Sequence, residues 1–505
     1  MDNPSQQQPI RFFEVFRNKI IYRKIFSFIP LGDKLSRPLD KITDAQWICE
    51  RNYYELLRDI VLNTNKKLIY SPESLHRICQ HVRDIELFDA IYRAQDEFDK
   101  SVCAIDYAAI TGNLEIIKLI EKHATRTPRA TTKAIDNAAS NNHLETLQYL
   151  HYTRADGATV DAMDNAAAGG FIDTIKWLNS NRSEGCTHLA VDKASERGHL
   201  EVVKFLTEAN KPATIAAMNN ASLNKHFDVV KYLNANRTEG CTTDAIDYAA
   251  EAGSLDIVQY LTENRTEGCT FSAMNGAAKK GHLEVIQYLH ANRTEGATSS
   301  ALLSACMGLN LEVIKFLVLN RTEPISEFCF DQACYAGSLE IVKFLDSHGF
   351  VAKPRSMDRA AQGGKLDIVE YLHINRSEGC TTEAMDIACT RGFLNIVQFL
   401  HNNRTEGCTD RAFDSAVQFG HLDVMKFLHL NRTEGLTSRA MQHAVNSGNL
   451  EIVRFLVERR SECSVADTKY QYEANHQEVH EYLESIRSKK RALAALAASP
   501  ASPSR

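Results

Sequence analysis

Residues 277–296 read AAKKGHLEVIQYLHANRTEG, and close variants of this stretch return along most of the chain. Neighbouring copies lie 28 residues apart, as the spacing of Gly240, Gly268 and Gly296 shows. Further copies of this glycine are Gly157, Gly185, Gly379, Gly407 and Gly435. A period between about 20 and 50 residues indicates stacked repeats. Because a unit this short cannot bury its own apolar face, the sequence predicts a solenoid in which each repeat packs on its neighbours.

Thirteen copies align on an apolar residue that opens the second half of each repeat. These residues are Leu114, Leu144, Ile172, Leu200, Phe227, Leu255, Leu283, Leu311, Leu339, Leu366, Leu394, Leu422 and Leu450. An alanine stands six positions before every one of them, from Ala108 to Ala444. Since only a small side chain lets two helices approach closely, the alanines predict a tight contact made by a short first helix. A glycine such as Gly253 or Gly281 then ends that helix.

The second half of each repeat is predicted to be a helix with apolar residues on most of its circumference, as in LEVVKFL at residues 200–206. Such a broad apolar stripe is typical of a helix sandwiched between neighbours. An aromatic residue recurs near its end, for example Trp177 and Phe205, and we expect these rings to form a continuous core. The Asn-Arg-Thr-Glu-Gly stretch supplies a turn, and the following threonine, such as Thr270 or Thr409, is placed to cap the next helix.

The Ala-Ala-x-x-Gly-His-Leu-Glu-Val-Val-Lys-Phe-Leu pattern resembles the ankyrin repeat, and the likeness covers residues 101–460. That family's Thr-Pro-Leu-His opening is absent, and aspartates such as Asp106, Asp247 and Asp386 occupy its histidine position. The repeat is also shorter than the family's length of about 33 residues, and the missing residues are those of the projecting β-turn finger. The resemblance implies an all-α fold: an α-solenoid of stacked helix-turn-helix ankyrin-like repeats with short or absent β-turn fingers.

The chain is predicted to divide into six segments, because the ends depart from the repeat pattern as capping units do. Residues 1–9 are a disordered N-terminus, and residues 10–70 form a helical N-terminal cap module. Residues 71–100 are an eroded first repeat, followed by the thirteen repeats of residues 101–460. Residues 461–487 are a degenerate C-terminal capping repeat, and residues 488–505 are a disordered tail.

Composition limits the classes of partner that the sequence predicts. The 505 residues carry a formal net charge of −6, which lacks the basic footprint of nucleic-acid binders, so we expect no nucleic acid partner. No stretch approaches the roughly 18 uncharged apolar residues of a membrane span, and residues 1–9 are polar rather than a secretory signal. We expect a monomer without a membrane partner, located in the cytoplasm, or in the nucleus if the basic residues 489–491 act as a signal.

Side chains that could carry chemistry recur at the repeat spacing, and this spacing argues against a site. Cys241 and Cys269 follow successive turn glycines. Neighbouring helices lie about 8–10 Å apart, whereas a disulfide needs Cα atoms within about 7 Å. The same reasoning applies to the recurring histidines and aspartates, and we expect the aspartates to accept hydrogen bonds from the neighbouring turn. The sequence carries no phosphate-binding loop, zinc-protease motif or nucleophile elbow, so it predicts no enzyme, no cofactor and no metal site.

The segment before the repeats contains a basic amphipathic stretch from residue 11 to residue 29. A membrane-surface helix, a transit peptide and a structural cap over the open end of the solenoid all fit this pattern. Residues 25–33, IFSFIPLGD, resemble the middle of an F-box, by which adaptors attach substrates to cullin-based ubiquitin ligases. The family's opening Leu-Pro is absent, and residues 47–49 match its later Cys and Trp pattern only loosely. The resemblance implies that Ile25, Phe26, Ile29 and Pro30 face the ligase subunit.

The predicted function is a non-enzymatic protein–protein interaction scaffold that binds a partner through the exposed ends of its first helices. A substrate adaptor of a cullin-type ubiquitin ligase is the alternative, and a purely structural spacer is a third hypothesis. Four aromatic residues stand where most repeats carry small or polar ones, and aromatic side chains dominate binding energies at interfaces. These candidate partner-binding residues are Tyr107, Tyr248, Tyr335 and Phe419, unless they rest on adjacent loops.

Overall fold

A computed structural model of the chain describes residues 44–64, 67–94, 103–123, 130–321, 326, 328–433, 440–459 and 477–497. The chain divides into two compact units, Met1–Gly240 and Cys241–Arg505, and each is described by itself. Across the described ranges the secondary structure is helical apart from one isolated bridge between Asp44 and Ile69. The predicted all-α solenoid of helix-turn-helix repeats without β-turn strands is therefore confirmed.

The first unit contains seven described helix pairs, each consisting of a first helix and a second helix. The pairs are α1 (Gln46–Glu50) and α2 (Tyr54–Asn63); α3 (Pro72–His81) and α4 (Ile85–Ala94); α5 (Ala104–Ile110) and α6 (Leu114–His123); α7 (Lys133–Ser140) and α8 (Leu144–Thr153); α9 (Asp161–Gly169) and α10 (Ile172–Asn181); α11 (Leu189–Glu196) and α12 (Leu200–Glu208); and α13 (Ala216–Leu223) and α14 (Phe227–Asn236).

The second unit contains eight described pairs and a longer final helix. The pairs are α15 (Asp244–Ala252) and α16 (Leu255–Asn264); α17 (Phe271–Lys280) and α18 (Leu283–Asn292); α19 (Ser299–Met307) and α20 (Leu311–Asn320); α21 (Phe328–Ala336) and α22 (Leu339–Ser347); α23 (Pro354–Gln362) and α24 (Leu366–Asn375); α25 (Thr382–Arg391) and α26 (Leu394–Asn403); α27 (Asp410–Gln418) and α28 (Leu422–Asn431); and α29 (Ala440–Asn446) and α30 (Leu450–Arg459). The final helix is α31 (Gln477–Ala497).

Stacking within each unit places first helices against first helices and second helices against second helices. The recurring alanines of the first helices are fully buried, as at Ala138 in the first unit and Ala277 in the second. The glycines after these helices take the left-handed conformation that ends them, with φ of 81° at Gly253 and 82° at Gly281. Both predictions for the first helix are confirmed.

The core of the second helices differs from the prediction. In α12 the side chains of Val202, Val203 and Leu206 are buried, whereas the ring of Phe205 is only half-buried. The rings lie at the edge of the buried face, because a helix turns by about 100° per residue. The expectation of a continuous aromatic core was therefore wrong. Several rings instead meet a histidine of the preceding repeat edge-on, as in the pairs His151–Trp177, His290–Phe316 and His401–Phe427.

The N-terminal end of the described chain contains a helix pair that the repeat motif did not reveal. Helix α1 contacts α3 and α2 contacts α4, which is the stacking pattern of the repeats. Apolar residues such as Ile48, Leu57 and Ile60 are fully buried there without the alanine and glycine of the motif. Residues 10–70 were expected to follow no repeat, whereas residues 46–63 stack as one. Residues 1–43 lie outside the described ranges.

The C-terminal helix α31 packs on α30 through Val479 and Leu483, which are both buried. The guanidinium of Arg454 lies 5.3 Å from the ring centroid of Tyr482. The helix continues to Ala497, so the disordered tail predicted from residue 488 is instead helical as far as residue 497. Residues 488–497 are rich in Ala, Leu, Lys and Arg, which have high helix propensity.

Replacing Ala277 with Leu tests the first-helix contact. The change adds about three heavy atoms at a fully buried position, and overpacking of this kind typically costs about 1–3 kcal/mol. Because stability propagates between nearest neighbours in a solenoid, we expect the thermal unfolding curve of the full chain to split into two transitions.

The control is Lys280→Leu on the same helix, where the side chain is exposed. This change should alter the free energy of unfolding by less than about 0.5 kcal/mol. Equal effects of the two substitutions would show that the faces of α17 are assigned incorrectly.

Candidate interaction surface

The recurring aspartates bind the turn that follows their own repeat. Thr270 N donates to Asp247 Oδ1 at 2.8 Å, and Thr270 Oγ1 donates to Asp247 Oδ2 at 2.6 Å. The same two bonds occur in the pairs Asp106–Thr131, Asp136–Thr159, Asp164–Thr187, Asp192–Thr214, Asp358–Thr381 and Asp386–Thr409. Burial raises the pKa of Asp247, and the threonine bonds oppose that shift. The expectation that these aspartates accept hydrogen bonds from the neighbouring turn is confirmed.

The threonine of each pair also caps the helix that follows it. In α17 the hydroxyl of Thr270 accepts from Ser272 N, and in α27 the hydroxyl of Thr409 accepts from Arg411 N. Each threonine thus donates to the preceding repeat while it accepts from its own. One pair uses an amide instead of a carboxylate: Thr298 N donates to Asn275 Oδ1 at 3.3 Å, and Asn275 Nδ2 donates to Thr298 Oγ1 at 2.9 Å.

The Asn-Arg-(Thr/Ser)-Glu-Gly turn is held by its own polar side chains and by the preceding repeat. Asn375 Nδ2 donates to Tyr371 O at 2.8 Å and so caps the second helix. Arg376 Nη2 donates to Glu378 Oε1 at 2.8 Å, and Arg376 Nη1 reaches back to Asp346 Oδ1 at 3.0 Å. In the equivalent turn of the first unit, the hydrogen bond from Arg182 lowers the pKa of Glu184 to about 2. The arginine therefore joins two successive repeats.

The histidines before the second helices lie over the glycines of the preceding repeat. His199 Nε2 is 3.1 Å from Ala168 O, and a Cβ on Gly170 would lie 2.6 Å from His199 Nδ1. His421 stands in the same relation to Thr390 O, at 3.1 Å, and to Gly392. These histidines therefore serve inter-repeat packing.

The cysteines and the other candidate metal ligands do not converge in the described ranges. Cys241, Cys269, Cys380 and Cys408 are buried, and burial raises the pKa of Cys269 to about 11. Within the part of the chain that the structure describes, no group of three or more His, Cys, Asp or Glu side chains is arranged to hold a metal ion. No helix of those ranges is long and apolar enough to cross a bilayer.

The four aromatic residues singled out from the sequence occupy different environments. Phe419 is 57% exposed and Tyr335 is 36% exposed, both at the C-terminal ends of first helices in the second unit. Tyr248 is half-buried. Tyr107, in the first unit, is also half-buried, and its ring stacks on His76 of the preceding pair with centroids 3.9 Å apart. Phe419 and Tyr335 are thus accessible, whereas Tyr107 already has an aromatic partner.

Two exposed apolar residues at the end of α19, the first helix that packs on the first helix of Tyr335, were missed by sequence reasoning. Met307 is 57% exposed and Leu309 is 43% exposed, at the end of α19. The sequence carried a signal for Leu309, because the other repeats of the second unit have glycine at this position, as at Gly281 and Gly337. Met307 likewise stands where Lys279 and Gln362 occur in other repeats.

The F-box-like residues Ile25, Phe26, Ile29 and Pro30 lie outside the described residues. The later part of that resemblance falls in α1, where Ile48 and Cys49 are fully buried. Trp47 meets Tyr53 edge-on, and the guanidinium of Arg51 lies 4.9 Å from the centroid of the Trp47 ring. Helix α1 therefore uses these residues in its own packing.

Substitutions at Asp247 test the hydrogen bonds between repeats. Asp247→Ala leaves the amide and hydroxyl of Thr270 without their acceptor, so we expect a loss of about 1–2 kcal/mol in the free energy of unfolding. Asp247→Asn should cost less, because Asn275 supports the equivalent turn with an amide. Urea unfolding of the full chain measures both, and Glu263→Ala at an exposed site should change stability by less than about 0.5 kcal/mol. A cost for Asp247→Ala no larger than that of this control would contradict the role assigned to the aspartates.

Solved structures that match this chain include pentatricopeptide repeat proteins. The structure of PPR10 in complex with an 18-nt psaJ RNA element has 10% sequence identity, covers 90% of this chain and 77% of that chain, and gives a TM-score of 0.38. The structure of PPR10 from maize has 9% identity, covers 88% and 72% of the two chains, and gives a TM-score of 0.28. No curated protein matches the sequence.

The exclusion of nucleic acid drawn from net charge was wrong, because matching helical-repeat structures include one in complex with RNA. That exclusion is withdrawn. At a TM-score of 0.38, this structural similarity does not indicate what the present chain binds.

Family models identify the repeats themselves. The model of ankyrin repeats in three copies matches residues 163–275. The model of ankyrin repeats in many copies matches residues 135–178, 276–318 and 357–401. These ranges contain the buried Ala138 and Ala277 and five of the seven aspartate–threonine pairs described above. The chain therefore carries ankyrin repeats in both of its compact units.

Proposed function

We propose that this chain is a non-enzymatic scaffold that binds a partner protein through the exposed ends of its first helices. Ankyrin repeats support a protein-interaction role in general. The observation that carries the proposal is that the recurring polar side chains and the exposed aromatic side chains have different roles. The recurring Asp, Thr, Arg and His residues are engaged between or within repeats, whereas exposed aromatic residues at the helix ends differ from repeat to repeat. We place the protein in the cytoplasm, in keeping with the expectation from its sequence.

The candidate partner-binding residues contribute unequally to this proposal. Phe419 and Tyr335 offer the most accessible rings, and aromatic side chains are enriched among residues that dominate binding energy. Tyr248 offers less, because it is half-buried. Tyr107 offers the least, because one face of its ring is covered by His76.

Alanine replacement of Tyr107, Tyr248, Tyr335 and Phe419 together tests the proposed surface. In a cellular proximity-labelling experiment, the wild-type chain should label a specific set of proteins, and the quadruple variant should lose the set's direct partner. Because two of the rings are substantially exposed, we expect a fall in melting temperature of only a few degrees, corresponding to about 1 kcal/mol.

The matched control replaces four exposed apolar residues at the C-terminal ends of second helices with alanine: Tyr152, Leu319, Ile374 and Leu430. This control has the same number of changes and the same distribution between the two units, one in the first and three in the second. It should label the same proteins as the wild type. Loss of the partner in the control but not in the test variant would assign binding to the other edge.

The alternative is a substrate adaptor of a cullin-type ubiquitin ligase, favoured by the F-box-like residues 25–33. If this holds, a subunit of the cullin complex should co-purify with the full chain. Deleting residues 1–40, which precede the first described helix pair, should then abolish co-purification. The double variant Ile25→Asp and Ile29→Asp should do the same at full length.

A structural cap gives the opposite pattern. If the segment only covers the end of the stack, both variants should lower the melting temperature, and no cullin-complex subunit should be recovered with either the wild type or the variants. Recovery of the subunit at wild-type levels with the double variant would rule out the proposed ligase-facing residues.

A further inference from the structure

Four successive first helices of the second unit, α17, α19, α21 and α23, pack side by side. Their C-terminal ends, with the start of the loop after α23, form one surface. We call this surface the apolar ridge; its residues are Lys279, Lys280, Met307, Leu309, Tyr335 and Lys365. The residues that follow α19 contact the end of α17. Asn310 Nδ2 lies 3.1 Å from both Ala278 O and Lys279 O, and a Cβ on Gly308 would lie 2.7 Å from Lys279 O. The backbone of Leu309 is therefore held beside the lysines that end α17.

The other end of the ridge is built in the same way. The backbone of Gly363 lies so close to Tyr335 O that a Cβ on this glycine would clash with it. The side chain of Lys365 lies over Gly337, where a Cβ would meet its methylene groups. Lys365 is thus fixed next to Tyr335, and lysines flank the apolar residues on both sides.

The centre of the ridge is an exposed apolar cluster formed by two adjacent helix ends. Met307 is 57% exposed, Leu309 is 43% exposed and Tyr335 is 36% exposed. The residues that correspond to Met307 and Tyr335 elsewhere in the second unit are polar: Glu251, Lys279, Gln362, Thr390, Gln418 and Asn446. Contiguous exposed apolar residues with a polar rim mark interaction sites.

Leu309 stands at a position where the neighbouring repeats have glycine. Its φ is +57°, in the left-handed region, where a γ-branched side chain is disfavoured. The corresponding glycines adopt the same conformation, with φ of +82° at Gly281 and +98° at Gly337. Stacking is satisfied by glycine, so the leucine is not required by the fold. Residues held in such conformations cluster at functional sites.

The charge around the apolar cluster is positive. Lys279 and Lys280 are exposed on one flank, and Lys365 lies on the other. One carboxylate, Glu251 of the preceding repeat, packs against Gly276 of α17, and Glu312 at the start of α20 faces a different lysine. Glu312 accepts from Lys315 Nζ at 2.8 Å, and the pKa of Lys315 is raised by this hydrogen bond and by the charges of Glu312 and Glu340. The ridge therefore presents a positive rim, which favours an acidic partner.

We propose that the apolar ridge binds an acidic peptide segment of a partner protein. Bulky apolar side chains of the peptide pack on Met307, Leu309 and Tyr335, and its carboxylates pair with Lys279, Lys280 and Lys365. This inference rests on the proposed function, because it names one binding surface of the scaffold and the chemistry of what binds there.

Peptide selection tests the proposal directly, because it does not require the identity of the partner. A phage-displayed library of random short peptides is selected against the full chain at low salt. The expected result is enrichment of peptides that combine Asp or Glu with Leu, Phe or Trp. A synthetic, fluorescein-labelled copy of the most enriched peptide is then titrated with the wild type and its variants by fluorescence polarisation.

Leu309→Gly is the discriminating variant. It should weaken peptide binding by about tenfold or more, while the melting temperature stays unchanged or rises because glycine relieves the left-handed backbone. The double variant Lys279→Glu and Lys280→Glu should weaken binding and remove most of its salt dependence. Ile374→Ser, at a residue that is 77% exposed on another edge of the second unit, should leave binding unchanged.

Three results would overturn the proposal. The first is selection of no peptide, or of peptides without an excess of acidic residues. The second is binding that is insensitive to Leu309→Gly and to the lysine changes but lost on truncation of Tyr248 or Phe419, which would leave the scaffold function intact. The third is concentration-dependent self-association that Leu309→Gly abolishes in sedimentation experiments, since the ridge would then bind a second copy of the chain.

Discussion

A helix pair of this size has no interior of its own, so every repeat depends on the repeat beside it. The hydrogen bonds between the aspartate of one first helix and the threonine of the next turn show how this dependence is met for polar groups. The same threonine caps the helix that it precedes. The alanines provide the apolar contact between neighbouring repeats, because a buried methyl group allows the first helices to lie close together. Both requirements recur with the repeat, and so do the residues that satisfy them.

The use of the recurring side chains in stacking has a consequence for function. Side chains that recur with the repeat are committed to stacking, and their chemistry is used there. Carboxylates accept hydrogen bonds from threonines, arginines join successive turns, and histidines cover glycines. Binding is left to positions on which stacking makes no demand. The ends of the first helices are such positions, and Met307, Leu309 and Tyr335 are apolar where the framework requires nothing apolar.

Much of the fold could be predicted because its constraints are local. Three residue types of the motif are each required by the structure at one position, so the motif alone predicted their roles. They are Asp247, Ala277 and Gly281. The aromatic rings were misjudged because an apolar stripe does not tell which residue lies at its edge. The repeat-like stacking of α1 and α2, within the predicted helical cap, was missed because its contacts use apolar residues outside the motif. Net charge is a sum over the whole chain, so it does not describe the charge of any one surface. The ridge could have been inferred from Leu309, the one departure from glycine at its position in the second unit.

Amide hydrogen exchange resolved to single residues is the most direct measurement of whether the repeating polar residues are committed to stacking. The N–H groups of Thr381 and Thr409 lie at turns, and each donates to an aspartate of the preceding repeat at 2.8 Å. If these bonds hold the repeats together, both amides exchange as slowly as those inside the adjoining helices, and Asp386→Ala accelerates exchange at Thr409 far more than at Thr381. Exchange at both threonines as fast as at exposed turn residues would contradict the central role given to these bonds.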